Sequence, residues 1–260
     1  MEEEVKKPLS FEEIDNHFGE LLKKCMDDLH PNTSKRILEA RASELEETII
    51  VYKNFKYQAI NRKNEQQANI FFLMQCTLSS VKCAFNSLQL FKEEDNHNSW
   101  HRLIDATEYI DIAIKIGETL TRDLCEHLKE EHKKHVTFVI KERLHLFCSG
   151  LFRPDLKFTS PGIIESIGNC SICGLQFHKC DHSEGDIVMG NYCQRVNRKI
   201  LDADHSAFVE HPKDKRCVLI TTFDTEGNSI DFFSREPTEK KKEPNTYEFI
   251  VHHLGGIDLR

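Results

Sequence analysis

Residues 32 to 116 contain neither glycine nor proline. Tight turns are hard to place in such a stretch, so long helices are the economical reading. No apolar run reaches the ~18–20 residues needed to cross a bilayer. The opening MEEEVKKPLSFEEI is acidic and lacks a hydrophobic segment of secretory type, so a cytoplasmic protein with no membrane attachment is expected. A basic excess is missing too. The net charge is −8, with 21 Lys+Arg against 26 Asp+Glu in residues 1–150 and 14 against 17 in the rest. Neither part has the balance usual for a general nucleic-acid-binding domain. There is also no Gly-rich phosphate-cradling loop.

Helices account for the first part of the chain. Ser10-Phe11-Glu12-Glu13 has the form of a capping box, and Ile14, Phe18, Leu21, Leu22, Cys25 and Leu29 draw one apolar stripe behind it. Pro31 ends that helix. A second is predicted from about Ser34 to Arg62, and a third, apolar nearly all round, from about Glu65 to Lys92. A fourth begins at Trp100 after a break at residues 95–99 and runs toward Leu128. The charged stretch 129–135 either continues it or leads to a fifth, Val136 to Cys148. Short connections favour antiparallel neighbours, hence an up-and-down bundle over residues 1–152. Cys25, Cys76, Cys83, Cys125 and Cys148 fall in helical sequence and read as buried reduced thiols.

After Phe152 the apolar segments shorten and turn residues appear. Residues 215–223 and 229–233 read as a hairpin, 234–245 as a mobile polar linker, and 247–251 as a further strand. The fold class is therefore α+β, mainly α: an antiparallel helical bundle, then a small β-rich module over 153–260.

One stretch of that module carries chemistry. Residues 170–193 read Cys-x2-Cys-x6-Cys-x-His-x10-Cys. Two cysteines two residues apart on a tight turn aim both sulfurs at one ion, and Gly174 supplies the left-handed residue such a turn needs. Cys170, Cys173, His178, Cys180, His182 and Cys193 compete for four places. Cys170 and Cys173 are the surest, Cys180 and His182 the favoured second pair, and Cys193 the reserve, delivered by a hairpin turning at Gly190-Asn191. One structural Zn²⁺ per chain is expected, in a closed Cys3His site. With separate cores in the two halves, only the second would depend on the metal to fold.

CSICG resembles the zinc knuckles of zinc ribbons and treble clefs. With the Cys-x-His and Asp-His-Ser-Ala-Phe-Val-Glu-His-Pro (204–212), it also resembles a small module of uncharacterised prokaryotic and phage proteins. That likeness implies a host-defence or phage-related setting. Residues 204–219 faintly resemble a strand-turn-strand of phage prohead-protease domains, but the Ser and His of that activity match no positions here.

The expected function is an adaptor or scaffold that docks a protein partner or forms a homo-oligomer, without catalytic residues. A second reading has the zinc module contacting nucleic acid through Lys179, Arg195, Arg198 and Lys199. The long shot is a metal-dependent hydrolase using Asp204, His205 or His211, near Asp202. His252-His253 reads as a surface pair.

Overall fold

The computed structural model describes residues 10–121, 136–241, 246–249 and 259. Cys125, the charged run 129–135 and His252-His253 lie outside them. Among the described residues five helices come first: α1 (Phe11–Asp28), α2 (Lys35–Asn61), α3 (Glu65–Lys92), α4 (Asn96–Leu120) and α5 (Val136–Leu151). Short antiparallel strands follow, so the fold is α+β and mainly α.

Local chemistry sets the helix starts. Ser10 and Glu13 complete the reciprocal capping box of α1. Asn64 caps α3 and Asp95 caps α4, each side chain accepting an amide two residues inside the helix. The Asp95 cap makes residues 96–99 the first turn of α4 rather than a break before it. Ser34 precedes α2 without a side-chain cap.

α3 lies at the centre, with α2 and α4 packed along it and α5 against α4. Every residue from 71 to 81 of α3 is buried. By length and composition α3 could span a bilayer, but 83% of its most apolar window is inside the protein, as in a core helix. Small polar residues let α4 approach closely: Ser80 Oγ donates to the Ala106 carbonyl at 2.7 Å, and Ser87 Oγ to that of Ser99 at 2.8 Å. Cys25, Cys76 and Cys83 are buried thiols, their pKa pushed up by burial to about 12.

The β-rich part begins with β1 (Phe158–Glu165) and β2 (Asn169–Cys170), then β3 (Ile187–Val188), β4 (Asn191–Tyr192) and β5 (Arg195–Val196). A long strand follows, β6 (Ile200–Val209), then β7 (Leu219–Phe223), β8 (Asn228–Asp231), β9 (Pro237–Lys241) and β10 (Tyr247–Phe249). β1 pairs with β6, β2 with β5 and β3 with β4, while the larger sheet has the order β10-β7-β8-β9. The stretch expected to be a linker thus contains a strand. β9 is held to β8 by main-chain pairing and by a Ser229–Thr238 hydroxyl contact, which override its polar, lysine-rich sequence.

The two parts share one core, contrary to the expectation of separate ones. Val218 and Phe233 belong to the same buried cluster as the helices. Trp100 of α4 packs its ring on Phe152, Phe158 and Phe233, with centroids 5.2, 6.2 and 6.5 Å away, and its Nε1 donates to the Lys215 carbonyl. Arg216, buried beside it, reaches Asp105 at 2.6 Å, Glu108 at 2.8 Å and Asp214 at 3.1 Å. Those contacts turn residues 215–218 toward α4, so the hairpin strand begins only at Leu219.

Candidate metal centre

Cys170 ends β2, which is pinned beside β5 through the pairs Asn169–Val196 and Cys170–Arg195. The chain then folds back tightly. The Gly174 amide donates to the Cys170 carbonyl at 2.9 Å and the Cys170 amide to the Leu175 carbonyl at 2.8 Å. Gly174 has φ +74°, the left-handed conformation for which glycine suits this place. Ser171 locks the turn from outside, its hydroxyl donating to the Tyr192 carbonyl and accepting the Gln194 amide, both at 2.9 Å. Cys173 is carried to the surface of the knuckle while Cys170 stays buried.

A single 3-10 turn, Phe177–Lys179, delivers Cys180 and then His182 to the same point. The donor atoms of Cys170, Cys173, Cys180 and His182 all lie within 4.8 Å of one another. Cys170 Sγ is 3.7 Å from His182 Nδ1. Two thiolates on a tetrahedral zinc are about 3.8 Å apart, given Zn–S bonds of about 2.3 Å. The cluster is thus a Cys3His set at ion-binding separations. His178 is exposed and outside it.

Cys193 is closer than a reserve would need to be. Fully buried at the end of the β3–β4 hairpin, its Sγ also stands 3.7 Å from that of Cys170. The hairpin turns at Met189-Gly190, one residue before the predicted place, with φ of +48° and +70°. Its tip docks on the bundle: the Gly190 amide donates to Asn69 Oδ1 at 2.7 Å, and the Met189 amide to Glu65 Oε1 at 3.3 Å. No spacing rule could have found this anchor, because Asn69 and Glu65 lie over a hundred residues away.

The thiols do not share one acidity. Burial opposes ionisation of Cys170, but the amides of Cys173 and Ile172 and the Cys193 thiol point at its sulfur and bring its pKa down to about 6. Burial and then the neighbouring Cys170 sulfur push Cys193 up to about 12. Burial also raises Cys180, whose thiol donates to the Phe177 carbonyl at 3.3 Å. Cys170 is therefore the first thiolate available to a cation.

The expected basic patch is only partly presented. Arg198 is nearly buried and paired with Glu165 at 2.8 Å, which removes it from the surface. Arg195 pairs with Glu184 at 3.5 Å and lies 6.0 Å from the Phe177 ring centre. Lys179 and Lys199 are exposed. Asp202, Asp204 and His205 sit on β6, where every residue from 200 to 208 is exposed, and His211 is exposed beyond it. Asp204 and His205 touch at 3.2 Å on that open ribbon, both side chains being exposed.

No family model, curated protein or solved structure matches this chain. The likeness to prokaryotic and phage Cys/His modules accordingly consists of residue spacing alone.

Proposed function

We propose that this protein is a zinc-stapled interaction scaffold: a helical bundle carrying a small recognition module whose local fold is held by one structural Zn²⁺. The Cys3His set carries the reading. Three thiolates and one imidazole suit zinc, fill all four tetrahedral positions, and leave none for a reacting water. The hydrolase reading gains nothing from the exposed Asp204–His205 pair. A cytoplasmic setting, where thiols stay reduced, suits the buried cysteines and belongs to the same proposal.

Elemental analysis of the purified chain tests the metal. About one zinc per chain is expected, lost when Cys170 and Cys173 are both replaced by Ser; a metal-free wild type overturns the reading. Capture of a specific partner, or self-association in light scattering, tests the scaffold role. The nucleic-acid alternative rests on exposed Lys179 and Lys199 and on the Arg195 guanidinium over the Phe177 ring. It requires binding that weakens steeply as salt rises.

A further inference from the structure

β6 is the outermost strand of its ribbon. On the far side of β1, the Thr159 amide donates to the Cys217 carbonyl and the Leu219 amide to the Lys157 carbonyl, so β1 is engaged on both edges. Among the described residues, β6 has β1 on one edge and no strand on the other. Ten residues long, it carries neither lysine nor proline, two of the usual guards of an open edge, and exposes Leu201 (66%), Phe208 (59%) and Ile200 (49%).

The register shows which backbone groups face outward. Thr159 turns its amide away from β6, so its partner Phe208 turns its own amide and carbonyl to the open side, and Ser206 does the same two residues back. Between Pro161 and Ile163 β1 advances two residues while β6 advances three, from Ser206 to Ala203. That extra residue reverses the alternation, so Ala203 also faces the open side, and a second extra residue between Asp202 and Ile200 interrupts the ladder beyond it. An unbroken strand can pair with its own copy only about an axis through a residue. The bulge moves the axis to the point between Asp204 and His205.

We infer that β6 is a homodimerisation edge, pairing antiparallel with the β6 of a second copy about a two-fold axis between Asp204 and His205. In that register Ser206 lies opposite Ala203 of the second copy and Ala207 opposite Asp202, with the exposed Phe208 and Leu201 near the two ends of the paired segment. Asp204 faces His205 of the second copy twice, once on each side of the axis. The two Asp204–His205 contacts make the centre of the strand self-complementary, as an isologous interface requires. This rests on the scaffold reading and names the partner as another copy of the chain. One added strand pair is at the small end of stable interfaces, so reversible association in the micromolar range is expected.

Sedimentation or light scattering of the zinc-loaded full chain over a concentration series tests it. Ser206→Pro removes one outward amide without touching the β1 ladder, and should raise the dimer dissociation constant at least tenfold with helical circular dichroism and zinc content unchanged. His205→Asp alone, and Asp204→Lys with His205→Lys together, should each give monomers, whereas an equimolar mixture of these two variants should form heterodimers. A monomeric wild type overturns the edge assignment while leaving partner capture to decide the scaffold role. A dimer indifferent to Ser206→Pro, or a mixture that stays monomeric, also overturns the edge assignment.

Discussion

Lys56 is a costly residue in the bundle. It is 1% exposed in α2, with its ammonium 4.7 Å from the centre of the Phe72 ring. Burial, only partly offset, brings its pKa down to about 8 from 10.5. The unfolded chain therefore binds more protons than the folded one between pH 8 and 10.5, so stability rises across that window, and the penalty is fully present below pH 8. Lys56→Met is expected to stabilise the protein at pH 7 by up to about 3 kcal/mol, discounted for the lost ring contact. The gain should shrink toward zero as thermal melts are repeated up to pH 10.5. At the metal centre, Cys193→Ser should keep close to one zinc per chain by elemental analysis, and His182→Ala should lower it. The reverse pattern would move Cys193 from bystander to ligand. Four of the cluster's donors were readable because metal-ligand spacing is local: Cys170, Cys173, Cys180 and His182 fall within thirteen residues. Lys56 gave no such sign, since a lysine in an amphipathic helix normally faces water.

Among the elements, the helices were legible for the same local reason. Capping at Ser10 and the apolar stripe behind it depend on neighbours within one or two turns. β9 was not, because its place is set by pairing with β8, and a polar edge strand carries no periodicity of its own. The docking of the β3–β4 hairpin was equally hidden, being a meeting of its backbone with Asn69 and Glu65. Its tightest point is Gly190. A Cβ there would stand 3.0 Å from both the Ala68 carbonyl oxygen and Lys56 Cγ, on a residue already at φ +70°. Gly190→Ala should cost about 1–2 kcal/mol in chemical denaturation. Zinc content should stay near one, because the knuckle turn, the 3-10 turn and His182 are built without that residue.

For the whole molecule, the shared core separates two kinds of failure. The knuckle meets the bundle along its β3–β4 hairpin, at the tip and through Ile187 and Tyr192, whereas the β7–β8 sheet joins the helices through Val218, Phe233 and the aromatic rings around Trp100. Removing the metal with a chelator should open residues 169–196 to protease, while helical circular dichroism and the main thermal transition persist. A chelated protein that melts as a whole would mean the staple holds more than its own loop. Trp100, at the seam between bundle and sheet, is also the chain's sole tryptophan. Its indole is 3% exposed and hydrogen-bonded across that seam, so the tryptophan fluorescence of this protein, excited selectively over its tyrosines, comes from one known place. Blue-shifted emission should survive chelation and move to the red only when helices and sheet part. The chain thus contains an unlabelled optical reporter that tells loss of the ion from separation of its two parts.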